Sequence, residues 1–196
     1  MNGIMYHNGL PKPVEITPTK KDLVYLDIAD KIAELSKDEN THVGAVIIDK
    51  NGKVVSMGYN GCASHFGVNT GKNDTIVPHS RNPQNIALYN DYSFLGVKKA
   101  VHSVNKYPFM LHAEQNALLT SSDNSRLVEG TIYSTHYPCT SCANMIAQAG
   151  IKHIKVMDRR HGTFQETIVP TLFIYENMNI TLSVFKEPPQ KLDIKA

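Results

Sequence analysis

The sequence predicts an α/β fold in which an opening β-hairpin is followed by parallel strands, and three observations predict it. A β-branched run, Val43 to Ile48, and a second apolar stretch, Lys53 to Tyr59, flank the turn at Asn51-Gly52, which is hairpin spacing. From Gly130 onward, short apolar strands alternate with stretches of helical periodicity. The 196 residues are 41% hydrophobic and 19% charged, which suits one compact domain and argues against a disordered chain.

The elements follow in order. Residues 1–16 contain Pro11 and Pro13 and little periodicity, and read as an arm or extended lead-in. The stretch from Thr17 to Thr19 offers caps for a first helix, whose apolar positions Val24, Ile28, Ala29, Ile32 and Leu35 recur at three- and four-residue steps. The hairpin comes next. Residues 62–107 read as an insertion: Gly67 to Asp74 and Pro78 to Pro83 have loop composition, and Ile86 to Val104 carry weak helical spacing. A helix is then expected from about His112 to Ser121 and a strand over Gly130 to Thr135. A helix from Pro138 to Ala149 is closed by Gly150. The strand Ile154 to Met157, the helix Thr167 to Glu176 and the strand Ile180 to Phe185 complete the alternation, and residues 187–196 read as a loose tail of the single domain 1–196.

Composition excludes several classes of function. Lys plus Arg is 20 against 18 for Asp plus Glu, so no broad basic field invites bulk binding to nucleic acid. The longest strongly apolar run, Val43 to Ile48, is far too short to span a bilayer, and the first residues lack a basic n-region followed by an apolar h-region. A soluble intracellular, cytoplasmic protein is expected, with no membrane partner. Three cysteines do not suggest a disulfide framework, and nine histidines beside them point toward metal chemistry.

Two short motifs carry that chemistry, His112-Ala113-Glu114 and Pro138-Cys139-Thr140-Ser141-Cys142. One neutral imidazole and two thiolates balance a zinc ion and leave one tetrahedral position open for water. Cys139 and Cys142 are three apart and share one face of a first helical turn, with Pro138 suited to a helix start. The positive end of the helix dipole favours thiolate. His112 and Glu114 are two apart, so they serve one site only if His112 lies at or just before a helix start. Two helix N-termini converging on one zinc are therefore predicted, with Glu114 as a general acid–base rather than a ligand. A metal can bring the pKa of its water to about 7. Taken singly, Cys-x-x-Cys reads also as a redox pair or half a structural zinc site, the latter requiring a fourth ligand such as Cys62.

His-x-Glu followed by Pro-Cys-x-x-Cys is the signature of the zinc nucleobase deaminases. With Asn40 to Ala45, Gly58-Tyr59-Asn60-Gly61, Lys106-Tyr107-Pro108, His112 to Ala117 and Ala147 to Ile151, the chain resembles the zinc-dependent cytidine deaminase superfamily, and within it the deoxycytidylate (dCMP) deaminases, over roughly residues 22–185 less the insertion. The resemblance implies a three-layer α/β/α fold with a five-stranded mixed sheet. It implies hydrolysis of dCMP to dUMP and ammonia, feeding thymidylate synthesis. His112, Cys139 and Cys142 would bind a catalytic zinc, and Glu114 would carry protons as water attacks cytosine C4. Asn60 would approach the sugar or base, Ala113 would offer its backbone N–H to the base carbonyl, and Tyr137 would flank the ring. Asn116 belongs to the same substrate-binding set. Asp158-Arg159-Arg160-His161 follows a strand, where Arg159 or Arg160 could clamp the phosphate and otherwise would form a solvated loop.

The resemblance also implies a homo-oligomer, often a hexamer, and regulation by dCTP and dTTP, the regulatory nucleotide arriving with Mg2+. Relatives usually follow Gly-Tyr-Asn-Gly with one residue and Pro, where this chain has Cys62-Ala63. Some phage relatives hold a second, structural zinc in a comparable insertion, for which Cys62, His65, His79 and His102 are the candidates here. Two other functions fit the same motifs: deamination of another cytosine nucleotide, such as dCTP or a 5-substituted dCMP, and non-catalytic nucleotide binding by a regulator on this fold.

Overall fold

The computed structural model describes residues 4–7, 10–38, 41–62, 110–159 and 164–186. Strands β1 (Ile4–His7) and β2 (Leu10–Glu15) precede helix α1 (Lys20–Ala33). The hairpin strands are β3 (Gly44–Ile48) and β4 (Val54–Tyr59), and two short strands follow, β5 (Gly61–Cys62) and β6 (Met110–Leu111). Then come α2 (Ala113–Leu119), β7 (Thr131–Ser134), α3 (Thr140–Gln148), β8 (His153–Met157), α4 (Phe164–Asn177) and β9 (Thr181–Phe185).

The main sheet runs β1-β2-β9-β8-β7-β3-β4. The five strands from β9 to β4 are the mixed sheet expected: β3 pairs antiparallel with β4 and β7, and β7, β8 and β9 are parallel. The N-terminal lead-in adds two strands at one edge, with β2 parallel to β9 and β1 antiparallel to β2. Pro11 and Pro13 lie inside β2, and prolines lower a strand reading because they cannot donate to a ladder. At a sheet margin that loss is tolerated.

Alternation along the strands builds the three layers. Val46, Ile48, Tyr133, Met157 and Phe185 face Leu26 and Ala29 of α1. The neighbouring residues Ala45, Ile47, Ile132, Ile154, Val156, Leu182 and Val184 belong to the opposite core, with residues of α2, α3 and α4. The buried side of α1 is Asp22, Leu26, Ala29 and Ala33. This corrects the predicted stripe: Val24 and Leu35 are exposed, and Leu35 lies beyond the helix. Packing distance decides the face. A Cβ on Gly44 would strike the carbonyl oxygen of Ala29 and stand 2.8 Å from Ala33 N, so the strand meets the helix backbone and favours small residues there.

Asp22 fixes where α1 sits. Its carboxylate and Thr19 form a reciprocal N-cap, with Thr19 N donating to Oδ2 at 2.9 Å and Asp22 N donating to Thr19 Oγ1 at 3.2 Å. The same carboxylate accepts from Tyr133 of β7 at 2.9 Å and pairs with Lys155 of β8. Burial raises its pKa, but the hydrogen bonds from Lys155, Thr19 and Tyr133 outweigh that and hold it at about 2. The N-terminus of α1 is thereby bonded to the middle of the sheet.

Candidate metal centre

Two helix starts face each other. His112 is the N-cap of α2, entered from β6, and Cys139 is the N-cap of α3, entered from the segment after β7. Cys142 lies one turn into α3 and is buried. The predicted convergence is what the fold builds, with one shift: Pro138 stands before the cap rather than in the first turn. His112 Nδ1 is 3.5 Å from Cys139 Sγ and 3.4 Å from Cys142 Sγ. A tetrahedral zinc with ordinary Zn–N and Zn–S bonds requires nitrogen and sulfur to be about 3.6 Å apart. The donor types and their spacing therefore fit zinc. Among the described residues these three form the only such group of donors.

The electrostatics support ligation. Hydrogen bonding with Cys142, together with His112, holds the Cys139 thiol well below its ordinary range despite burial. The same contact and burial push the Cys142 thiol upward. His112 is raised by its bond to Cys139. Gln115 fixes the backbone at His112, whose N–H donates to Gln115 Oε1 at 2.8 Å. The sequence reading left Gln115 out of the site; a Gln three residues after an N-cap was the signal for it.

Glu114 is 3% exposed and its Oε2 lies 3.8 Å from Cys142 Sγ. Burial raises its proton affinity, opposed by the charge on His112. It stands beside the donor group without belonging to it. Deeper in, Tyr175 of α4 is fully buried, and its hydroxyl finds no partner among the described residues. Burial first, then the charges of Glu114, Cys142 and Cys139, keep that phenol protonated.

The remaining predicted residues divide. Ala113 is the first residue of α2, where backbone N–H groups lack intrahelical partners. Tyr137 is buried just before Pro138, its hydroxyl donating to Asp158 Oδ1 at 3.2 Å. The side chain of Asn60 braces the chain before β3: Oδ1 accepts from Val43 N at 2.8 Å and Nδ2 donates to Thr41 O at 2.8 Å. Asn116 Nδ2 donates to Tyr59 O at 2.7 Å and ties α2 to β4. Arg159 bonds Asp30 of α1 at 2.6 Å. Cys62 stands outside the metal group, its sulfur 3.7 Å from Met110 Sδ. His65, His79, His102 and Arg160 lie outside the described residues.

Residues 19–158 match the family described as the cytidine and deoxycytidylate deaminase zinc-binding region. The deoxycytidylate deaminase of Homo sapiens is 33% identical over 151 residues, 76% of this chain and 71% of that protein. That of Enterobacteria phage T4 is 35% identical over 144 residues, 66% of this chain and 73% of the relative. The solved dCMP deaminase of the cyanophage S-TIM5, in complex with dCMP and dUMP, superposes with a TM-score of 0.57 at 24% identity, covering 86% of this chain and 99% of that one. At that identity the likeness bears on the fold. Among the described residues no helix is long and apolar enough to cross a membrane.

Proposed function

This chain belongs to the zinc-binding cytidine and deoxycytidylate deaminases, and from that premise we propose that it hydrolyses dCMP to dUMP and ammonia. One observation carries the reading: a zinc-type donor group with one buried carboxylate beside it. His112, Cys139 and Cys142 would hold the ion, which when bound supplies Lewis acidity toward water.

The chain's own residues do the rest. Glu114, with its proton affinity raised by burial, accepts a proton at its carboxylate from the attacking water and delivers it to N3 of the cytosine ring. The same carboxylate then takes the proton of the new C4 hydroxyl and passes it to the amine, so that the C4–N4 bond breaks, the C4 carbonyl forms and ammonia leaves. The backbone N–H of Ala113, at the first position of α2, is suited to the base carbonyl. Tyr137 would wall the ring, while Asn60 and Asn116 shape the site through the backbone they hold. Binding of the phosphate by Arg159 or Arg160, assembly as a homo-oligomer and control by dCTP and dTTP complete the proposal.

The test is loss of the cytosine chromophore and release of ammonia from dCMP, with dCTP and 5-methyl-dCMP run in parallel. Glu114→Ala is expected to keep its zinc and lose at least about 10³-fold in kcat. Turnover unchanged in that variant refutes the mechanism. Turnover of dCTP alone would transfer the assignment to that nucleotide.

A further inference from the structure

We propose that Asp158 is a positioning residue that fixes the Tyr137 ring as a wall of the substrate pocket, an inference that rests on the nucleotide reading above. Tyr137 stands two residues before Cys139, so its backbone is continuous with the cap that supplies a metal donor. The ring is buried, and its hydroxyl reaches across to Asp158, which directly follows β8. That is the carboxyl end of the parallel strands, where open α/β sheets take their ligands.

The post itself is rigid. Asp158 N donates to Phe185 O of β9 at 2.8 Å. Arg159 N donates back to Met157 O at 2.7 Å, and its guanidinium bonds Asp30 of α1 at 2.6 Å. The sheet and α1 therefore hold the backbone on both sides of the carboxylate. The body of the ring packs in the core between the sheet and the helices, and a fixed acceptor at its far end sets the direction of the hydroxyl as well. The contact also occupies a carboxyl oxygen placed at the end of the sheet where the substrate would bind.

The experiment uses zinc-loaded full-length enzyme in five forms: wild type, Tyr137→Phe, Asp158→Ala, the double variant and Asp158→Asn. Steady-state dCMP turnover, dCMP affinity by calorimetry, zinc content and Tm are measured for each. Each single variant is expected to raise KM and Kd about 3- to 10-fold with kcat within about twofold. The double variant is expected to be no worse than the worse single one, since both break one contact. Asp158→Asn keeps an acceptor oxygen and should recover much of the loss.

Effects that multiply in the double variant, or an unchanged KM in Tyr137→Phe, overturn the proposal. So does tighter dCMP binding in Asp158→Ala, which would mean that the carboxylate acts by repelling phosphate. A KM that moves only with lost zinc or lowered Tm counts against it as well. A wild type that binds dCMP without turning over any cytosine nucleotide defeats the function reading, while the coupling in Kd still decides this one. A wild type that does not bind dCMP overturns both.

Discussion

Gly58 lies where β4 passes under α2, and replacing it with Ala tests whether that close approach positions the metal centre. A Cβ there would stand 2.9 Å from the carbonyl carbon of Asn116, and closer still to Ala117 N and Ala113 O, where ordinary contact begins at 3.4 Å. All three are helix backbone atoms, so no side-chain rotation relieves the clash. The helix must retreat by about 1 Å, and overpacking of this kind costs ~1–3 kcal/mol. For a chain of this length that lowers Tm by about 3–10 °C. Because His112 caps α2 and Glu114 sits in its first turn, the same displacement moves a metal donor and the proton carrier relative to Cys139 and Cys142. A misplacement of about 1 Å can cost on the order of 10²-fold in rate. Thermal unfolding, zinc content and dCMP turnover of Gly58→Ala give three readouts. Unchanged Tm with full activity would refute the reasoning, because the backbone contact would then have slack that the structure does not show.

Two further predictions concern α1 and its surroundings. The folded pKa of Asp22, about 2, lies below the ordinary 3.8, so its contribution is fully present above pH 4 and is lost as pH falls toward 2. Urea unfolding at pH 5 and pH 2 should show ~1–2 kcal/mol less stability from this group at the lower pH, allowing for solvent access at Lys155, and Asp22→Asn should flatten that slope. An acid dependence as steep in the variant as in the wild type would contradict it. Asn60→Ala removes the partner of Val43 N and of Thr41 O, and should cost ~1–3 kcal/mol by denaturant titration. If its only effect is on KM, the side chain faces substrate rather than the chain before β3.

The metal centre was legible because its constraints are local. Cys139 and Cys142 sit three apart on one helix, and His112 and Glu114 two apart across a helix start, so once the paired motif assigns them to one metal, spacing puts each set at a helix N-terminus. The strand–helix alternation after Gly130 was legible for the same reason. What escaped the pattern depends on distant partners. Asp22 is buried by Tyr133 and Lys155, more than a hundred residues away, and a charge in a first helical turn reads as a solvated cap. The buried face of α1 is set by the approach of Gly44, which selects Ala29 and Ala33 over the larger Val24 and Leu35. Asn60 was assigned toward substrate from its motif; its side chain bonds Thr41 and Val43, a backbone brace that residue spacing does not announce. Strand β2, second from the margin of the sheet, was hidden by its two prolines.

The pairing of β5 with β6 has a consequence for the metal centre. Gly61 lies opposite Leu111 and Cys62 opposite Met110, so the polypeptide leaves and re-enters the framework through one narrow doorway. One jamb leads straight into the imidazole donor, so a change in the register of this short pairing would reach the chemistry before it reached the main sheet.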